Sequence, residues 1–105
     1  MYDKAVLKNL RKLGTLAPAA WPAFQAFDKA AMADGAVPVK YKELMAVAVA
    51  LTTQCIYCIE AHTRRARSAG ATDAELGETI MVAMTLRAGG ALAHGAHCLK
   101  DPDPA

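Results

Sequence analysis

Residues 40–62 read KYKELMAVAVALTTQCIYCIEAH, and this stretch decides the fold. From Lys40 to Thr52 the apolar residues Leu44, Met45, Val47, Ala48, Val49 and Leu51 nearly encircle a helix. A helix that is apolar most of the way round is buried. Its one carboxylate, Glu43, falls in the first turn, where an acidic side chain meets the positive end of the helix dipole. Thr52-Thr53-Gln54 can break and recap the chain, and a second helix is expected from about Cys55 to Ala69, stopping at Gly70. Residues without strand alternation on either side of a helix break predict an all-α arrangement.

The pattern continues in both directions. Upstream, Val6, Leu7, Leu10 and Leu13 recur at helical spacing, with Gly14 as a natural helix end. Pro22 suits the first turn of a helix carrying Phe24, Phe27, Ala31 and Met32, and Asp34-Gly35 ends it. Val37-Pro38-Val39 is an extended link. Downstream, Thr72-Asp73-Ala74-Glu75 is a capping box that opens a helix with Leu76, Ile80, Ala83 and Met84 as its buried stripe. Ala88-Gly89-Gly90-Ala91 is expected to interrupt it, and a last helix to run to about Leu99, with residues 101–105 fraying. This amounts to a bundle of five to six helices in one domain over residues 1–105, its core at about 20–98.

Composition agrees. The chain has 105 residues, 54% of them hydrophobic, 21% charged and only 6% aromatic, and alanine supplies roughly a quarter. Alanine is the best helix former, and such a hydrophobic fraction excludes disorder. A core of alanine with few aromatics is thin, so burial is expected to be completed by oligomerisation. The formal net charge is +2 without a basic run or a stacking aromatic stripe, so no nucleic-acid partner is expected. The longest uncharged run, Leu44 to Ile59, is short of the roughly 20 residues of a membrane span, and the amino terminus carries no signal-like stretch. A cytoplasmic protein is expected.

Chemistry concentrates in Cys55-Ile56-Tyr57-Cys58-Ile59-Glu60-Ala61-His62. At about 100° per residue, Cys55, Cys58 and His62 fall within roughly 60° of one another and share one helix face. The cysteines also occupy the helix start, where free N–H groups and partial positive charge favour thiolate. A thiol, a second thiol to resolve its oxidised form and a base one turn away are the parts of a thiol peroxidase or disulfide reductase. Other readings compete: two buried structural cysteines, or a metal site of Cys55, Cys58 and His62 with His94, His97 or Cys98 as the fourth ligand. Haem attachment fails because Ile59 stands where a histidine must follow the second cysteine. A thioredoxin fold fails because no strand precedes Cys55. Glu43 can orient His62 or relay protons if its helix packs antiparallel to the cysteine helix. His94 and His97 read as structural or interface groups, Cys98 as a small core hydrophobe, and Arg64, Arg65 and Arg67 as a solvated helix end.

Glu43, Cys55-Ile56-Tyr57-Cys58 and His62 together resemble the alkylhydroperoxidase D-like branch of the carboxymuconolactone decarboxylase family. Lys42-Glu43-Leu44, Ala61-His62-Thr63, Ala69-Gly70-Ala71-Thr72 with Glu75, and Gly89-Gly90 with His94 extend the resemblance over about residues 20–98. It implies an all-helical homo-oligomer, a trimer or a hexamer of three dimers, that needs no bound cofactor. By the same resemblance Cys58 attacks a hydroperoxide, Cys55 resolves the product, and His62 with Glu43 forms the proton relay. An external dithiol, in better-known members a lipoyl-bearing protein, then reduces the Cys55–Cys58 disulfide. One position departs from the peroxidase-type pattern: Tyr57 stands where those members carry a histidine, and a phenol does not titrate near neutral pH. A decarboxylase-like lyase using His62 or Glu43 is the alternative activity. A non-redox helical module with a structural or metal-binding cysteine pair is the other.

Overall fold

The computed structural model describes residues 3–101 and is helical, with no strand among them. A 3-10 helix over Lys4–Lys12 leads into a short α1 (Leu13–Leu16). There follow α2 (Ala20–Met32), α3 (Val39–Thr53), α4 (Ile56–Ser68), α5 (Asp73–Gly95) and a closing 3-10 turn, Ala96–Cys98. The expected frayed residues 102–105 lie outside the described part.

The elements form for local reasons. Asp3 caps the first helix by accepting the N–H of Ala5 at 2.9 Å. Pro22 sits in the first turn of α2, where a missing N–H costs nothing. The Asp34 side chain accepts the N–H of Val39 at 2.8 Å and pins the start of α3. Lys42 reaches back from α3 to donate to the Ala31 carbonyl at 2.8 Å, satisfying the end of α2. The Thr72–Glu75 capping box opens α5 as expected, each side chain bonding the other residue's backbone N–H.

α3 packs on α4 and, along another side, on α5. The buried apolar residues are Val47, Ala50, Ala66, Ala71, Leu76 and Ala83, so the seams are lined chiefly by alanine. Small side chains let the three helices approach closely, and Ala66 is completely enclosed. No large side chain is fully buried among the described residues.

Four expectations need correction. Gly14 lies inside α1 rather than ending a helix. Ala88-Gly89-Gly90-Ala91 does not interrupt α5, which runs unbroken for 23 residues. Two glycines weaken a helix without removing its hydrogen bonds, and the capping box and flanking helix formers carry the segment through. Of the expected buried stripe, only Leu76 and Ala83 are enclosed; Ile80 and Met84 face outward. Cys98 is exposed, not a core residue.

Candidate active site

The turn between α3 and α4 builds the site. Gln54 adopts a left-handed conformation, φ 58° and ψ 39°, and its N–H bonds the Ala50 carbonyl. It is the single non-glycine residue with positive φ among those described. This left-handed residue ends α3 and reverses the chain. Cys55 follows in an extended conformation and becomes the N-cap of α4, its Sγ accepting the Cys58 N–H at 3.3 Å. A sulfur at the N-cap stands in the positive field of the helix start, which favours its thiolate once reduced.

Cys55 and Cys58 are joined by a disulfide, with Cα atoms 5.3 Å apart. The pair therefore spans the first turn of α4 and holds no hydrogen in this state. Both residues are half-buried. His62 lies one turn beyond Cys58 on the same helix, and residues four apart on a helix are neighbours, roughly 5–6 Å between Cβ atoms.

The reversal at Gln54 brings α3 back alongside α4, so Glu43 meets His62. The His62 Nδ1–H donates to Glu43 Oε2 at 2.6 Å. This fixes the proton on Nδ1 and leaves Nε2 as the acceptor. Glu43 is only 5% exposed, the one charged residue among the buried positions described. A buried carboxylate is costly unless paired, and His62 is its partner. Glu43 also falls beyond the first turn of α3, which begins at Val39 and contains no acidic residue. The dipole reading of Glu43 is thereby replaced by the pairing reading.

Tyr57 points elsewhere. Its hydroxyl donates to the Asp3 carbonyl at 3.4 Å, and the adjoining Glu60 forms an ion pair with Lys4. The outer face of α4 thus carries the amino-terminal helix, while the inner face carries α3. The spacing of the motif could not disclose that contact, because its partner lies 54 residues away. His94 bonds its own helix through the Gly90 carbonyl at 3.2 Å, and its ring lies 6.1 Å from that of His97. Among the described residues no three His, Cys, Asp or Glu side chains converge as a metal-binding group; His94 lies near the end of α5, and His97 and Cys98 lie in the closing 3-10 turn. Arg64 and Arg65 are exposed, and Arg67 pairs with Asp73 at 2.6 Å. No helix of the described residues is long and apolar enough to cross a membrane.

The comparisons agree with the all-helical fold. A protein of Paracoccus denitrificans, described as uncharacterized protein 4 in cox locus, is 51% identical over 72 residues, covering 69% of this chain and 65% of its own length. A Cupriavidus necator protein is 40% identical over 77 residues, covering 73% of this chain and 68% of its own. This chain thus spans about two thirds of the length of those relatives. Among solved structures, a carboxymuconolactone decarboxylase family protein from Legionella pneumophila superposes with a TM-score of 0.74 at 34% identity, covering 89% of this chain and 83% of its own. A Methanobacterium thermoautotrophicum protein gives the same TM-score at 30% identity, covering 79% and 95%. The family profile described as Carboxymuconolactone decarboxylase matches residues 18–101, and the chain belongs to that family.

Proposed function

We propose that this chain is a thiol-dependent peroxidase of the alkylhydroperoxidase D-like branch, reducing hydroperoxides through Cys55 and Cys58. The observation that carries the reading is the Cys55–Cys58 disulfide at the start of α4, with the His62–Glu43 pair one turn along. A decarboxylase has no use for a dithiol, whereas a peroxidase cycle needs both sulfurs and a base.

The cycle starts from two thiols. His62 Nε2 takes the Cys58 proton, directly or through water, and Glu43 stabilises the imidazolium through Nδ1. The Cys58 thiolate attacks the outer peroxide oxygen. The O–O bond breaks, the alkoxide takes the proton from His62 and leaves as an alcohol, and Cys58 becomes a sulfenic acid. The Cys55 sulfur attacks Cys58, water leaves and the disulfide forms. An external dithiol returns two electrons by exchange: its first sulfur attacks Cys58 and Cys55 departs as a thiolate held by the helix start, then its second sulfur attacks the first, releasing Cys58 and leaving the donor as a disulfide. Lipoyl-type dithiols belong to this class. A cytoplasmic setting, where thiols are kept reduced, suits such a cycle.

The reading includes assembly as a homo-oligomer, because Phe24, Phe27, Met45, Val49 and Leu92 all stand more than half exposed in the protomer. The test is hydroperoxide consumption with a dithiol donor. Cys58→Ser is expected to abolish it, and Cys55→Ser to stop the cycle after a single turnover. Activity on a lactone acid that survives both replacements would favour the lyase instead.

A further inference from the structure

One arginine shares the face of α4 that carries Cys58. Arg65 follows Cys58 at an interval of almost two full turns, so the two positions lie about 20° apart round the helix and about 10 Å apart along it. Ala61 and His62 stand between them. His62 turns toward α3, where it meets Glu43. Ala61 lies on the other side and lines a small cavity with Leu7 of the amino-terminal helix. A long side chain on a helix leans back over the turn before its own, which for Arg65 is the turn of Ala61 and His62. Alanine at position 61 leaves no bulky side chain between the sulfur and the arginine on that flank.

The charges around this strip leave Arg65 without a counter-ion. α3 and α4 contribute one carboxylate each, Glu43 and Glu60. Glu43 is buried against His62, and Glu60 is paired with Lys4. Arg67 is held by Asp73 at 2.6 Å. Among the described residues no hydrogen bond or ion pair reaches the Arg65 guanidinium, and the residue is exposed. The helix dipole accounts for a cation in the last turn of α4, but not for its place on the sulfur's side. Arg64, the next residue, stands about 100° away and borders the cavity under the amino-terminal helix. At the opposite end of the strip, Cys55 and Cys58 sit in the positive field of the helix start. An anion laid along the strip therefore meets positive potential at both ends.

The geometry points to Arg65 as a specificity-determining residue that binds the carboxylate of a substrate whose peroxide group reaches Cys58. The substrate class is an organic hydroperoxide carrying a carboxylate within about 10 Å of its O–O bond. The assignment rests on the peroxidase reading and names the substrate class of that same site. A guanidinium presents a planar fork that a carboxylate engages through two parallel hydrogen bonds. Arg65 holds one end of the substrate and takes no part in the bond changes, which are those of the cycle above. The carboxylate leaves on the product alcohol.

The test compares para-carboxycumene hydroperoxide with its methyl ester, which has the same reacting centre and no charge. The full chain is used, with dithiothreitol, an uncharged dithiol, as donor. Wild type is expected to show a KM for the carboxylate about five-fold below that for the ester, at similar kcat, as binding shared by ground and transition states requires. Arg65→Gln is expected to raise the KM for the carboxylate and remove the preference, and Arg65→Lys to restore part of it. Arg64→Gln removes the same charge from the adjoining position and is expected to keep the preference. Circular dichroism confirms that each variant is helical. Equal KM values in wild type, or a loss in Arg64→Gln matching that in Arg65→Gln, overturns the inference and leaves the peroxidase reading standing. A chain that consumes neither hydroperoxide overturns both.

Discussion

Glu43 and His62, 19 residues apart in the chain, meet through a 2.6 Å hydrogen bond between a buried carboxylate and an imidazole. One oxygen of Glu43 holds the Nδ1 proton, so Nε2 is the nitrogen left to serve the sulfur one turn earlier. Glu43 acts through His62 and is a positioning residue. The geometry separates two roles that a rate measurement can tell apart.

Removing the base has the larger effect. His62→Ala is expected to slow hydroperoxide consumption by roughly 10²- to 10⁴-fold, the usual worth of a positioned general base. The second-order rate of Cys58 oxidation, read by stopped flow, checks this. The loss should shrink at alkaline pH, where hydroxide ionises the thiol unaided.

Glu43→Gln keeps a hydrogen-bond partner for His62 but not the charge that stabilises its protonated form. The rate is expected to fall, but by less than in His62→Ala. A merely structural role would lower the melting temperature and leave the rate of Cys58 oxidation in the folded protein unchanged.

The α5 cap is a stability element independent of the site. Thr72 Oγ1 accepts the Glu75 N–H at 3.1 Å. Thr72→Ala is expected to cost about 1 kcal/mol, read as a shift in the urea midpoint with an unchanged slope. Hydroperoxide consumption should be retained.

The Lys40–Glu75 ion pair, 2.8 Å between charged atoms, sets a pH dependence of stability. The Lys40 hydrogen bond, followed by the Thr72 backbone, holds the Glu75 carboxyl below its ordinary value. The Glu75 hydrogen bond holds the Lys40 ammonium above its own. Glu75 therefore contributes in full above the unfolded carboxyl pKa, about 4.3, and loses its contribution as pH falls through the folded value. Lys40 contributes in full below its unfolded pKa of 10.5 and loses its contribution as pH rises through the raised folded value. Lys40→Met should narrow the stability gap to wild type at both extremes and keep it constant near neutrality. Added salt should shrink the gap throughout, since both groups are partly exposed.

How far the sequence discloses the fold varies by residue. The capping box at Thr72 and the helix start at Cys55 are local hydrogen-bonding patterns, and both stand where their spacing puts them. The Glu43–His62 contact is foreseeable once the break at Gln54 is read as a reversal. Its chemistry is not, because a carboxylate near a helix start has a simpler meaning until burial is known. The glycines at 89 and 90 mislead because propensity weighs a residue alone while α5 forms as a cooperative unit. Ile80 and Met84 mislead differently: periodicity finds an apolar face but not whether the protomer's other helices enclose it. Tyr57 bonds a residue outside the motif, which no spacing within the motif could reveal.

The central claim is that Cys55 and Cys58 act as one redox unit driven by His62. Its most direct test is intact-protein and peptide mass spectrometry of the fully reduced chain after one equivalent of hydroperoxide. The account predicts that the peptide holding both cysteines loses two hydrogens, at a rate that falls in His62→Ala, while Cys98 keeps its thiol. Unreacted Cys55 and Cys58, or oxidation at a rate indifferent to His62, would contradict it.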